Sequence, residues 1–416
     1  MPDGNKGRLL FISPVMPATG GNGLAMRAGN LVEALSAAWE VHVAVLAVGG
    51  VAGRTLEPAL SSLVADCREL AYPEFLDPAY TAAVVLPSGA KQQAALRALG
   101  RPRQVAYRVD TAPDAVFDLF GDRGIDAVFV LRQYMAPLAA RFLGVPNAPM
   151  SFLDSDDDDV EARRRFAALL RAYGNLEYAT LEELTARQYA TWEEEWMPRF
   201  DMIFAASPVD ALRISGRNPE VFVDVLPNVV RSPARVSETG RSSPGRTVLM
   251  VGNLSYLPNV DGALWLGRSV APLLRADSAD PLQIVIAGSG PDESVMAMSD
   301  LPGITVIADP PDVAPLYMEA AVAAVPVRAG GGTRIKILEA FAQGVPVVST
   351  TLGAEGLSVE HDRHLLIADT PEDFAAACRR LVGDQDLRAR LVAEAQSLQR
   401  ESYSLEALTA RFSAEV

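Results

Sequence analysis

Residues 323–350 read AAVPVRAGGGTRIKILEAFAQGVPVVST, and the fold is read outward from this stretch. The apolar run over residues 322–327 has the length of a buried strand. Gly330, Gly331 and Gly332 follow, and glycine lets backbone approach a ligand with no Cβ in the way. Thr333 is expected to cap a helix over residues 334–343. Gly344 ends that helix and Pro346 opens the next strand. A glycine loop that opens a helix presents unpaired N–H groups and a positive dipole end, which suits phosphate. Arg328, Arg334 and Lys336 crowd the same turn. Lys336 stands out because the chain has only two other lysines, Lys6 and Lys91.

The stretch resembles the donor-sugar-nucleotide signature of the family 4 glycosyltransferases, in the branch written G-G-G-T-R-x-K-x-x-E-A. The resemblance is specific here and spreads more loosely over most of the chain. It implies that Glu339 holds the ribose hydroxyls of a nucleotide. It also implies that Gly331, Gly332, Thr333 and Arg334 line the donor, and that nearby cations neutralise its diphosphate. The commoner family pattern has two glutamates eight positions apart, but Gly331 stands eight before Glu339. A contact to the donor sugar that needs the first glutamate is therefore missing. The bland alternative is one more strand-to-helix turn whose glycines serve packing.

The chain has 416 residues, of which 49% are hydrophobic and 21% charged, an ordinary globular composition with length for two or three domains. Its formal net charge of −15 argues against a nucleic-acid partner. Anionic lipid repels an acidic protein, which argues against a permanently membrane-docked enzyme and leaves room for a local basic patch. Cys67 and Cys378 are far apart, without metal-ligand spacing, and read as packed thiols of a reducing compartment. The early apolar run 9–12 is too short for a signal-peptide core, and no run is long enough to span a membrane. A cytoplasmic location is expected.

In the first half, strands over 8–13 and 41–48 flank a helix over 24–37, the opening of a doubly wound α/β unit. The loop between them contains Gly20, Gly21 and Asn22. The resemblance implies that this loop approaches the donor phosphate or the acceptor, with Arg27 beside it; a plain turn fits equally. A strand over 126–131 puts Arg132 at its C-terminal end, where open α/β sheets bind ligands. Similar enzymes place a histidine near here, and this chain has none in the region, so Arg132 is a candidate replacement. A surface arginine is the alternative. A strand over 149–153 runs into Asp154-Ser-Asp-Asp-Asp-Asp159. Most of these carboxylates read as solvated charges at a helix start. Asp154 is expected to point into a cleft and act there, and a Mg²⁺ site is a competing, lower-ranked use of the run. Helices follow over 160–200 with a break at 174–175, in which Trp192 and Trp196 share a face and read as core. Strands over 201–206 and 221–226 complete the half.

Residues 231–246 are rich in serine, proline and arginine and read as a linker. A second unit begins with a strand over 247–251 and the loop Gly252-Asn253. The arginine and lysine usual in this loop are missing, which throws the cationic role onto Arg328, Arg334 and Lys336. A helix is expected over 262–274. Strands over 282–287 and 304–308 end at Gly288 and Asp309, where similar enzymes recognise the base through backbone. Helices are expected over 312–320, 371–382, 386–399 and 403–416.

The resemblance thus implies the GT-B arrangement, two doubly wound Rossmann-like domains facing across a cleft. Residues 1–230 form the acceptor-side domain, with 401–416 packing back on it, and residues 247–400 bind the nucleotide sugar. The implied reaction moves a sugar from a UDP-, GDP- or TDP-type donor to a hydroxyl, with retention and without a metal or resident cofactor. Arg328, Lys336, Asp154 and Arg132 are the catalytic candidates. Gly20, Gly21, Asn22, Gly252, Asn253, Gly288, Asp309, Gly331, Gly332, Thr333, Arg334 and Glu339 are the donor-binding candidates. A glycan, lipid-linked, natural-product or peptide acceptor fits, and a homodimer is left open. The other readings are a GT-B-shaped sugar-nucleotide epimerase, a phosphorylase-like enzyme using Lys336, and a catalytically inactive nucleotide-sugar sensor or scaffold.

Overall fold

The computed structural model describes residues 6–48, 53, 55–231, 245–276, 281–332 and 334–414. Most of the expected linker, and Thr333, lie outside the described residues. The chain divides into two units: one runs to Asn228 and resumes at Leu405, and the other is Val229–Ser404.

The first unit is built on strands β1 (Arg8–Ser13), β2 (Glu40–Leu46), β3 (Val64–Leu70), β4 (Ala127–Leu131), β5 (Met150–Asp156), β6 (Met202–Ala205) and β7 (Val223–Val225). Their order is β3-β2-β1-β4-β5-β6-β7, and every pairing is parallel. β4 is buried at all five positions, as expected for a strand covered by helices on both faces. On one face Phe11, Phe129 and Phe204 stack with centroids 5.6 and 5.9 Å apart. Trp192 and Trp196, 5.6 Å apart and buried, belong to the core as read. The strand order reverses at β1 and β4, so loops at their C-terminal ends diverge and leave room there.

The second unit has β8 (Thr247–Val251), β9 (Gln283–Gly288), β10 (Ile304–Ala308), β11 (Ala320–Val325), β12 (Val347–Ser349) and β13 (Leu366–Ile367). Their order is β10-β9-β8-β11-β12-β13, again all parallel. This is the doubly wound order, with the reversal at β8 and β11. Two boundaries differ from the sequence reading. The helix expected over 262–274 starts at Leu257, because Pro258 fits a first turn that needs no N–H from it. It passes through a π-helical stretch, Leu266–Val270, before Ala271–Arg275. The helix after the glycine loop is Ile335–Ala342, with Arg334 at the cap position and no side-chain cap bond. It stops at Gly344, whose φ of 68° is open to glycine without steric cost. The last helix, Leu405–Ala414, belongs to the first unit, where Arg411 pairs with Asp224 of β7.

Candidate functional site

In the second unit the sequence-predicted residues gather at the C-terminal ends of β8, β9, β10 and β11. After β11 the chain passes Gly330 and Gly332 at φ 96° and 78°. These left-handed turns place the loop at the mouth of helix Ile335–Ala342. On the first turn of that helix Lys336 reaches back to the loop after β8. Its Nζ donates to Asn259 Oδ1 at 2.8 Å, and Asn259 Nδ2 donates to the Asn253 carbonyl at 2.9 Å. A Cβ on Gly252 would lie 3.1 Å from Nζ, so the glycine makes room for the ammonium. Burial pushes that ammonium down to about 8, helped by Arg334 and opposed by Glu339.

Gly288 packs on the same place. A Cβ there would fall 1.6 Å from the Gly252 carbonyl oxygen, so no other residue fits this backbone. Asp309 continues the row. Its N–H donates to the Gly288 carbonyl at 2.8 Å, and its Oδ1 accepts from the Gly290 N–H at 2.9 Å. Gly252, Asn253, Gly288 and Asp309 are thus one backbone-rich ledge beside Lys336.

Glu339 lies one turn along the helix, half-buried. Tyr317 Oη donates to its Oε2 at 3.3 Å. Burial pushes the Glu339 carboxyl up, against that hydrogen bond and the charge of Lys336. Tyr317, Asn259 and Asp261 were not singled out from sequence as site residues.

Arg328 departs from expectation. It holds Asp261 with two bonds of 3.0 and 2.6 Å, and its guanidinium lies 5.7 Å from the Trp265 ring centroid. Asp261 is buried, so Arg328 serves as its counter-ion and is not a spare charge for a ligand. Arg334 Nη1 donates to the Gly331 carbonyl. Of the three cations, Arg328 is ion-paired, Arg334 donates to a backbone carbonyl, and Lys336 is held by the neutral amide of Asn259.

In the first unit Gly20, Gly21 and Asn22 are exposed, and a Cβ on either glycine would touch nothing within 4 Å. Asn22 has a structural task as well: its Oδ1 caps helix Gly23–Ser36 by accepting from Ala25 N–H at 2.9 Å. The acidic run corrects the sequence reading. Asp154 is fully buried and gripped by Arg27 at 2.7 and 2.8 Å, so it does not stand open. Asp156, Asp158 and Asp159 are also buried. Asp156 and Asp159 meet Arg132 at 3.2 and 2.8 Å, and Asp158 meets Arg217 at 2.8 Å. These are not solvated helix-start charges. Arg132 is likewise no surface arginine; it is the buried counter-ion of the run. Asp157 keeps partial exposure, 3.3 Å from Arg132. Burial and then Asp156 push its carboxyl up to about 7, against Arg132 and with Asp159 and Asp210 adding repulsion. The arginines occupy the oxygens that a cation would need. Among the described residues no group of three or more His, Cys, Asp or Glu is placed to hold a metal ion.

The second-unit ledge can take an anion on N–H groups and one ammonium, and hydroxyls on Glu339. The two parallel-sheet units match solved GT-B glycosyltransferase structures over the whole chain, so the fold is GT-B. Residues 245–384 match the family model described as "Glycosyl transferases group 1". Sucrose-phosphate synthase from Thermosynechococcus elongatus aligns with 99% of this chain and 98% of its own, at TM-score 0.65 and 17% identity. HepE of Anabaena, solved with UDP and glucose, aligns over 98% of both chains at TM-score 0.59 and 14% identity. An "uncharacterized 44.6 kDa protein in cps region" of Klebsiella pneumoniae is 29% identical over 136 residues. That alignment covers 31% of this chain and 35% of the Klebsiella protein, about a third of the curated relative's length. These matches support sugar transfer in general. No helix among the described residues is long and apolar enough to cross a membrane.

Proposed function

We propose that the chain transfers a sugar from a nucleoside diphosphate sugar to a hydroxyl acceptor, with retention and without a metal. The observation that carries this is the meeting of Lys336, Asn259, the glycine ledge and Glu339 in the unit that contains the matched segment. The diphosphate rests on the loop N–H groups and Lys336, and Glu339 accepts from the ribose hydroxyls. As the glycosidic bond breaks, negative charge grows on the diphosphate, and fixed donors there lower the barrier. The departing phosphate is suited to accept the acceptor's proton, since Asp154 is already held by Arg27. The acceptor is a glycan, a lipid-linked sugar, a natural product or a peptide, met in the cytoplasm.

The test is a thermal-shift panel of UDP, GDP, TDP and ADP, followed by donor turnover with EDTA present. A ligand at a hundred times its dissociation constant stabilises by roughly 2.7 kcal/mol. HepE's complex with UDP makes UDP the first choice. No shift with any of the four nucleotides refutes the site. Loss of turnover in EDTA, restored by Mg²⁺ or Mn²⁺, refutes the metal-free mechanism. A second reading, an inactive nucleotide-sugar sensor, is favoured by the absent first glutamate at Gly331 and the neutralised Arg328. It predicts binding with no turnover of any labelled donor across an acceptor panel.

A further inference from the structure

The first unit carries an exposed apolar seam that contains none of the residues assigned above to sugar transfer. Residues 78–109 contain no acid, yet hold Lys91, Arg97, Arg101, Arg103 and Arg108, in a chain of net charge −15. This stretch includes two short helices, Pro78–Val84 and Ala90–Ala98. Ala83 and Leu96 pack with Leu181 and Leu184 of helix Leu176–Trp196. The packing sets the turn between the short helices beside the start of the long one. Gln93 Nε2 donates to the Glu177 carbonyl at 3.4 Å, and Gln92 lines a small cavity with Tyr178. Gln92 Nε2 also donates to the Val84 and Leu86 carbonyls at 3.1 and 3.0 Å, tying that turn to the same place.

At this seam large apolar side chains face solvent. Val85 is 75% exposed, Leu176 64%, Tyr173 51% and Tyr178 49%. The cations around it divide into two kinds. Arg101, Arg103, Arg108 and Arg171 are paired with Asp77, Glu182, Asp110 and Glu183. Lys91 and Arg97 are exposed and make no ion pair among the described residues. Glu177 is the acid at the seam.

We propose that this seam docks the protein on an anionic lipid bilayer. Val85 and Leu176 enter the boundary between headgroups and acyl chains. Tyr173 and Tyr178 sit at headgroup level, where a ring with a polar end is favoured. Lys91 and Arg97 extend their charged ends to lipid phosphates while their stems cover apolar surface. The charge pattern favours lipid over a protein partner, because the acid-free stretch leaves two bare cations beside aliphatic tips. The patch is also small and interrupted by Glu177 and the glutamines, whereas a stable protein interface takes about 800 Å² from each partner. The proposal does not rest on sugar transfer.

The experiment is co-sedimentation of the 416-residue chain with phosphatidylcholine vesicles and with vesicles that also contain phosphatidylglycerol, at low and high salt. Binding is expected on the anionic vesicles and is weakened by salt. Val85→Asp with Leu176→Asp should weaken it at least about tenfold, since two inserted side chains become charged. Lys91→Ala and Arg97→Ala should each weaken it by about fivefold on anionic vesicles alone. Unchanged melting temperatures show that these exposed substitutions leave the fold intact. Failure of the wild-type chain to bind anionic vesicles overturns the proposal. So does binding that neither set of variants alters, or a dimer in sedimentation velocity that Val85→Asp with Leu176→Asp dissolves. None of these readouts involves a sugar donor, so they stand or fall apart from the transfer reading.

Discussion

Replacing Lys336 by methionine removes one charge and keeps most of the side chain's bulk. In the native site Arg328 is spent on Asp261, and Arg334 donates to the Gly331 carbonyl. On the proposed reading, the diphosphate then keeps the loop N–H groups but loses the Lys336 ammonium. A hydrogen bond to a charged partner contributes about 1.5–3 kcal/mol, so at pH 7 the dissociation constant for the cognate nucleoside diphosphate should rise roughly 10- to 150-fold. Titration calorimetry measures it directly. The pH dependence is the sharper readout. In the free protein burial holds the Lys336 ammonium at about 8. Below that pH wild-type affinity is flat in this group; above it the ammonium must be recharged on binding and affinity falls. Binding near pH 8 should therefore take up a proton, seen as a heat that changes with the buffer's ionisation enthalpy. Lys336→Met should show no such uptake.

The same group gives a ligand-free check. An unfolded chain holds this proton up to a pH of about 10.4, above the folded value of about 8. Between the two the unfolded state binds more protons, so wild-type stability rises with pH there, and the methionine variant lacks that rise. A variant that binds nucleotide within about twofold of wild type at pH 7, on the scale set by those 1.5–3 kcal/mol, refutes the assignment of Lys336 to the diphosphate. A variant that retains the proton uptake refutes the titration argument.

Arg27→Met should destabilise by about 3–5 kcal/mol, because Asp154 is left charged and buried without its partner; chemical denaturation measures this, and a loss below about 1 kcal/mol, the size of a surface pair, rejects it. Asp157→Asn should raise the melting temperature at pH 8 and change it little at pH 4. The folded carboxyl titrates at about 7 and an unfolded one at about 3.9, so between the two the folded state binds more protons and stability falls as pH rises, a loss complete above 7 and absent near pH 4. An equal effect at both pH values would count against this. Gly288→Ala should cost about 1–3 kcal/mol and weaken nucleotide binding together, since the new Cβ displaces the Gly252 carbonyl. A melting curve and a titration that both match wild type would show that the ledge is not rigid.

The fold was legible because parallel strands covered on both faces appear as unbroken apolar runs. The strand read over 247–251 and the one read over 304–308 fall where β8 and β10 lie. Helix starts were less legible: Pro258 looked like a loop residue, yet it sits in the first turn. What sequence spacing hid was charge pairing. Asp154 finds Arg27 at 127 positions' separation, and Asp158 finds Arg217 at 59. An acidic run whose partners are that remote has the same local signature as one in solvent. Arg328 and Asp261, 67 apart, misled in the opposite direction, since an arginine beside a glycine loop looks available when its carboxylate is out of view.

That pairing also explains how a loop with three glycines can hold a defined shape. Arg328 just before the glycines is tied to Asp261, and Lys336 just after them is tied to Asn259. Both partners lie on one helix, Leu257–Trp265. The glycines therefore span two fixed points on a single rigid element, and their conformational freedom is limited by anchors at each end. The anchoring does not compete with a ligand. An ammonium has three N–H donors, and Asn259 Oδ1 accepts from one of them. Two remain for phosphate oxygens while the loop stays held. Arg328 also keeps unused N–H donors, but its charge is already balanced by the buried Asp261, which it must go on holding. Of these two cations Arg328 works as a brace, and on the proposed reading Lys336 is brace and ligand at once.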